Sequence, residues 1–364
     1  MVNLIQTALF QKIQYFIPRI LLSNVTWGDI VIACQNIHYD LDTPDSNFWR
    51  DWANAWKQIG LEYQHKAEKA SALNHTDTAL DYYLSASSAF HWAEFMYFDS
   101  PDDKQAARYW VTDNYLHATL YMKDKPLLMT IPYEGMEITG YYYSSPTDKN
   151  APCILLLNGL DSAKEVELHT FARYLRDRGF STFMFDGPGQ GINLGSNAMA
   201  IDFENVVHAV LTHLISHNKK LSGRFGVFGV SYGGYLAMRS ASAHQDHIRA
   251  CVNLSGGFDV DNYRDFSARI QSDFRYVFMA NQQDMATIAE KKLNLRECIP
   301  YEHPLLCIHG DSDAIFPANN CDKAIAWAKS SVDCKIYANE AHVCQNYFND
   351  YLPFMADWFA TKVL

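Results

Sequence analysis

From about Lys125 to the C-terminus, short continuous apolar runs alternate with stretches of helical period, and this alternation restricts the fold more than any other feature. "LLMTIPYEGMEITGYYY" reads as two short strands joined by Glu134-Gly135. "CILLLNG" ends in a turn and precedes a helical stretch over 163–178. "STFMFDGPGQG", a helix over 201–218, "RFGVFGVSYGG", a helix over 233–244 and "IRACVNLSGG" follow. After an irregular stretch come "PLLCIHGDSD", a helix over 318–330, "DCKIYANEAH" and a final helix to about 362. Runs that are apolar throughout are strands buried on both faces, so the pattern predicts βαβ units and a mostly parallel, doubly wound sheet. Active groups in such sheets gather beyond the carboxyl ends of the strands.

Residues 1–125 contain nothing that alternates like a strand. Trp49, Trp52, Trp56, Ile59 and Tyr63 recur at three- and four-residue steps, one stripe of a helix, with Asp45 and Ser46 as N-caps. Ala79, Tyr83, Ala86, Phe90, Ala93 and Tyr97 make a second stripe, whose small residues let a neighbouring helix approach. Helix-to-helix packing accounts for most of both stripes. Among the remaining rings, Trp49, Trp56 and Phe90 are the expected substrate contacts. The division predicted is an all-helical lid over 1–125 and a catalytic domain over 126–364, with "NYRDFSARIQSDFRYVFMANQQDM" as a second wall of the pocket.

Bulk properties exclude more than they identify. With 48% hydrophobic and 20% charged residues in 364, the chain is long enough for a large core. A net charge of −11 argues against nucleic acid or an anionic membrane as the partner. Cys153, Cys251 and Cys307 lie in strand-like runs, no C-x-x-C pair occurs, and the apolar N-terminus is interrupted by Lys12, Pro18 and Arg19. No run of about 18 uncharged apolar residues suits a membrane span. A cytoplasmic, reducing location is expected.

"GVSYGG" at 229–234 follows an apolar run directly, as a G-x-S-x-G nucleophile elbow does. A serine hydroxyl needs a base, and the base an orienting carboxylate, in the chain order Ser, acid, His. Downstream of Ser231, "HGDSDAIFP" offers Asp311 and Asp313, and "ANEAH" offers His342. Asp313 lies deeper in the turn and is preferred; Asp311 is expected to bond loop amides, and His309 to be a structural hydrogen-bonder. The oxyanion donors expected are the backbone N–H groups of Tyr232, after the nucleophile, and Leu160, after "CILLLN" and Gly159. Asp161, Ser162, Lys164 and Glu165 share that loop as helix-capping and loop-pinning groups, with Asp161 also a substrate contact. "DGPGQG" at 186–191 does not fit G-x-G-x-x-G and reads as a tight loop bordering the site. No motif implies a metal, a nucleotide or another cofactor.

With these segments in order, the chain resembles an α/β-hydrolase. "LNGLDSAKE", "DGPGQG", "GVSYGGYLAMRSA", "HGDSDAIFP" and "ANEAH" together resemble the family of 2,6-dihydroxypseudooxynicotine hydrolase, which includes fermentation-respiration-switch-like esterases and fungal polyketide-shortening hydrolases. The helical segment looks like that family's N-terminal lid. The resemblance implies a cofactor-free Ser–His–Asp enzyme, commonly a homodimer, with Ser231, Asp313, His342 and the Leu160 and Tyr232 amides in the matching places. Some family members cleave carbon–carbon bonds beside a ketone, assisted by an acid after the sixth strand. Here that place reads "GGFDVDNYRD", so Asp259 becomes the substrate-side candidate, beside Asp261. Three readings stand: a hydrolase of ketone-bearing aromatic or polyketide substrates, an esterase, thioesterase or acyl-transferring enzyme, and a non-catalytic binding module.

Overall fold

The architecture comes from a computed structural model that describes residues 4, 7–35, 37 and 47–363. Asp45 and Ser46, expected as caps, lie outside the described residues. The chain divides into two compact units, one of Met1–Lys125 with Glu165–Thr170, the other of Pro126–Lys164 with Phe171–Leu364.

The first unit is helical: α1 (Ala8–Ile13), α2 (Ile17–Leu22), α3 (Trp27–Cys34), α4 (Phe48–Ala72), α5 (Thr76–Glu94) and α6 (Pro101–Thr119). The first aromatic stripe falls on α4 and the second on α5, except Tyr97, which lies beyond its end; the reversal between the two helices is made by Asn74 at φ 58°. The unit has its own core, in which Ile13, Ile30, Trp52, Trp56 and Trp92 are buried together. Trp52 Nε1 donates to the carbonyl of Trp92 at 2.9 Å, and the Phe90 ring fills the space left by the missing side chain of Gly60. Glu94 is fully buried between Lys104 (2.6 Å) and Arg108 (3.0 Å), with His91 Nδ1 at 3.1 Å. Residues Glu165–Thr170, expected within the α/β half, join this unit through Arg19 Nη2 to Glu167 (2.6 Å), Thr112 to Glu165 (3.2 Å) and Tyr115 to His169 (2.7 Å).

The second unit carries an eight-stranded sheet in the order β1-β2-β4-β3-β5-β6-β7-β8, where the strands are Leu127–Tyr133, Met136–Tyr143, Cys153–Leu157, Ser181–Phe185, Phe225–Val230, Ile248–Leu254, Leu305–Gly310 and Val332–Tyr337. β1–β2 and β2–β4 pair antiparallel, and all other neighbours pair parallel. β3, β4, β5 and β7 are buried at every residue, as their unbroken apolar runs require. Edge strand β8 differs, exposing Asp333, Cys334 and Ile336; among the described strands it has a neighbour, β7, on one side only.

Helices α7 (His169–Arg176), α8 (Phe203–His217), α9 (Tyr232–Ala243), α12 (Asn320–Trp327) and α13 (Phe348–Val363) follow the strands, α7 being entered through a π-helical turn over Lys164–Leu168. The stretch read as irregular holds two more, α10 (Ala268–Val277) and α11 (Gln282–Lys292), capped by the side chains of Ser267 and Asn281. Register aligns the strand ends that matter: Leu157 pairs with both Phe185 and Gly229, Leu254 with Ile308, and Gly310 with Tyr337. The loops carrying Gly159, "DGPGQG", Ser231, Ser255, Asp313 and His342 therefore all leave the sheet at the carboxyl ends of its parallel strands. No helix among the described residues is long and apolar enough to cross a membrane.

Candidate active site

Ser231 is the single residue between β5 and α9, and its backbone is left-handed, φ 58° and ψ −130°. A non-glycine residue held there is strained and persists only if its surroundings determine it. Its N–H donates to the Leu254 carbonyl at 2.8 Å and its carbonyl accepts from Gly234 N–H at 2.8 Å. The flanking glycines are required by contact: a Cβ on Gly229 would lie 1.9 Å from the Gly233 carbonyl oxygen, and one on Gly233 2.3 Å from that of Asn158.

The structure brings Ser231, His342 and Asp313 into one hydrogen-bonded chain. Ser231 Oγ lies 2.7 Å from His342 Nε2, and His342 Nδ1 lies 2.8 Å from Asp313 Oδ2. With Nδ1–H donating to the carboxylate, Nε2 is the lone-pair nitrogen and accepts from the serine hydroxyl. Asp313 Oδ1 accepts the N–H groups of Ile315 (2.9 Å) and Phe316 (3.0 Å). Burial alone would push its carboxyl up; His342 and those two amides outweigh it and hold the group below the ordinary carboxylate value. Asp311 does something else, accepting Asn339 N–H at 2.7 Å and so tying the β7 loop to the β8 loop.

His309, expected as a structural hydrogen-bonder, is fully buried beside the Phe316 backbone, which favours its charged form. Burial lowers its pKa to about 4, Asp313 opposing and His342 reinforcing the shift. Ser255, not singled out by sequence reasoning, positions the histidine loop. Its Oγ accepts Val343 N–H at 3.0 Å, while Tyr351 OH donates to the Val343 carbonyl at 3.1 Å. That loop needs both anchors, since Val343 and Cys344 each have positive φ, 69° and 47°. The only sequence signal for Ser255 is its place directly after β6, in "NLSGG".

Tyr232 is the first residue of α9, where helix N–H groups have no intrahelical acceptor. The Gly159 backbone lies against Ser231, since a Cβ at Gly159 would be 3.3 Å from Ser231 Cβ, and Leu160 comes next. Asp161 is half-buried on the same loop. Lys164, expected to cap the helix or pin the loop, ties the loop to a buried carboxylate: its Nζ is 2.9 Å from Asp186 Oδ2, and its N–H donates to Asp186 Oδ1 at 3.2 Å.

The expected substrate contacts fare differently from the triad residues. Asp259 gives its carboxylate to Lys323 at 2.8 Å, with Arg296 at 3.6 Å, so its charge is already matched. Trp56 and Phe90 are wholly buried, Trp56 beside Trp52 and Phe90 beside Trp110, while Trp49 packs on Phe48 and under Lys12. These rings serve as core of the helical unit. A different run of rings borders the triad: Phe316 faces His342, Phe266 meets Phe316 and Phe274, and Phe274 meets Tyr232 edge-on. The Tyr232 hydroxyl is buried with no hydrogen-bond partner among the described residues.

A model of the FrsA-like esterases matches residues 41–363. The chain belongs to this family. It is an α/β-hydrolase enzyme. It is 26% identical over 354 residues to the 2,6-dihydropseudooxynicotine hydrolase of Paenarthrobacter nicotinovorans, a match spanning 93% of this chain and 89% of that protein. It is 30% identical over 262 residues to the hydrolyase poxO of Penicillium oxalicum, across 66% of this chain and 59% of that one. The crystal structure of the 2,6-dihydroxy-pseudo-oxynicotine hydrolase superposes with a TM-score of 0.84 at 24% identity, covering 95% of both chains, and so shares the fold.

Proposed function

We propose that this FrsA-like chain is a serine hydrolase whose nucleophile is Ser231, with His342 as general base and acid and Asp313 as the group that orients it. The observation that carries the reading is the unbroken chain from Ser231 Oγ through His342 to Asp313, 2.7 and 2.8 Å, on a serine of positive φ. Ser231 Oγ attacks a carbonyl carbon while His342 Nε2 takes the hydroxyl proton. The developing oxyanion is met by the N–H groups of Leu160 and Tyr232. Collapse expels the leaving group, which receives the proton from Nε2. Water, deprotonated in turn by Nε2, then attacks the acyl-serine and releases the acid.

The leading substrate is a ketone-bearing aromatic or polyketide-like molecule cleaved at a carbon–carbon bond. The leaving carbon departs as an enolate that Nε2–H protonates, so the products are a carboxylic acid and a ketone. The rings that border His342 and Tyr232, and the family resemblance, support this class. Membership of the FrsA-like esterases favours a second reading in which an ester or thioester is cleaved, or its acyl group passed to another nucleophile. The helical unit is assigned the role of lid, and a homodimer is the proposed assembly.

Product masses discriminate. Aryl β-diketones incubated with the protein in H₂¹⁸O are expected to give one ¹⁸O-labelled acid and one methyl ketone, absent with Ser231→Ala. Turnover confined to esters and thioesters would transfer the assignment to the second reading.

A further inference from the structure

A fully buried glutamine from another loop holds the backbone of the loop in which Gly159 lies against Ser231 and Leu160 follows. Gln190 is 1% exposed, and every polar atom of its amide is committed. Nε2 donates to the carbonyl of Asn158 at 2.9 Å and to that of Gly159 at 3.1 Å, while Oε1 accepts Gly187 N–H at 3.1 Å. The two carbonyls belong to successive peptides, Asn158–Gly159 and Gly159–Leu160. A trans peptide is planar, with its C=O and N–H pointing in opposite directions. Fixing the Gly159 carbonyl therefore fixes the direction of the Leu160 N–H on the far side.

The same loop is held at its ends by Asp186, fully buried, which accepts from Asn158 Nδ2 (2.5 Å) and from the backbone N–H and Nζ of Lys164. Gly191, at φ 49°, makes that arrangement fit, because a Cβ there would lie 1.8 Å from Asp186 Oδ2. Asn193 Nδ2 adds bonds to the carbonyls of Asp186 (3.3 Å) and Gly187 (3.4 Å). "DGPGQG" is thus a frame around residues 158–164, with Gln190 as the one member that touches the peptide in question.

We infer that Gln190 is a positioning residue for oxyanion stabilisation, holding the Gly159–Leu160 peptide so that its N–H faces the oxygen of the group under attack by Ser231. This rests on the reading of Ser231 and the Leu160 amide given above. Gln190 does not itself meet the substrate; it limits the rotation of a glycine-containing loop that would otherwise present its N–H only part of the time.

The test uses the full chain and two reagents, diethyl p-nitrophenyl phosphate and its P=S analogue. Each phosphorylates an activated serine and releases one p-nitrophenolate, and sulfur is a much weaker hydrogen-bond acceptor than oxygen. Gln190→Ala is expected to slow the P=O reaction at least about ten-fold, short of the roughly 10²–10³ that outright loss of an oxyanion donor costs. The P=S reaction should slow much less, so the oxygen-to-sulfur rate ratio falls. Gln190→Glu, which has no N–H to offer two carbonyls, should be slower still with P=O. An unchanged ratio in Gln190→Ala, whether both reagents slow equally or neither does, overturns the inference while leaving Ser231 as nucleophile. Failure of the wild type to react, or equal reaction by Ser231→Ala, removes the reading on which it rests and the inference with it. Thermal unfolding of each variant shows that the fold is retained.

Discussion

Asp311 and Asp313 stand two residues apart on one loop, and their hydrogen bonds separate their roles. Asp313 lies against the imidazole with its other oxygen on two amides, whereas Asp311 is exposed and bonds the next loop. An amide at 313 cannot stabilise an imidazolium or select the tautomer with a free Nε2. Asp313→Asn is therefore expected to lower kcat by about 10³ or more, on the scale known for such carboxylates. Asp311→Asn should cost far less, and the reverse ranking would exchange the two assignments. His309 gives a pH signature. Its folded pKa of about 4 lies below the ordinary 6.5, so the unfolded chain binds the proton first. Its contribution to stability is complete above pH 6.5 and declines as the pH falls to about 4. Denaturant titrations between those values should show an acid loss that His309→Leu lacks, with Asp313 and His342 unchanged beside it.

At the scale of elements, the strands were legible because an all-apolar run of five or six residues has few alternatives to a buried parallel strand. The elbow, the acid loop and the histidine loop were legible because each follows such a run directly. What escaped was determined by residues remote in sequence. Nothing near Ser255 says that its hydroxyl meets Val343, 88 positions away. Nothing near Lys164 shows that it reaches Asp186 rather than its own helix. The rings of α4 and α5 were periodic enough to place on helices, but the sequence could not show that neighbours in the same unit already cover Trp56 and Phe90. Likewise α10 and α11 are short helices whose Ser and Asn caps looked like loop composition. The helical unit also holds a buried carboxylate. Burial alone would raise Glu94, yet Arg108, Lys104 and His91 hold its pKa at about 2 against an ordinary 4.5. The stability this gives is present above pH 4.5 and is lost as the pH falls through about 2. Glu94→Gln leaves buried cations short of a charge and should destabilise the protein by about 3–5 kcal/mol in urea or guanidinium unfolding at neutral pH. A change within experimental error would mean that those cations are matched by other groups.

For the whole molecule, the two units are not a simple N-terminal and C-terminal division. Glu165–Thr170 belongs with the helices, where Glu165, Glu167 and His169 each have a partner. A fragment starting at Lys125 strands that segment and removes Arg19, Thr112 and Tyr115. It is expected to be insoluble or inactive, and a soluble, fully active fragment would refute the interdependence. Substrate choice also belongs to this scale. Remote binding energy supports orientation at the reacting carbonyl, so kcat/KM for aryl β-diketones or aryl thioesters should exceed that for acetyl and butyryl esters. Preference for the acetyl ester would make the rings near His342 and Tyr232 purely structural. The catalytic outcomes presuppose one nucleophile. The most direct measurement is turnover by Ser231→Ala, purified free of contaminating hydrolase and shown by its unfolding transition to be folded. The account requires a loss of several powers of ten in kcat; near-normal activity in that variant would contradict it.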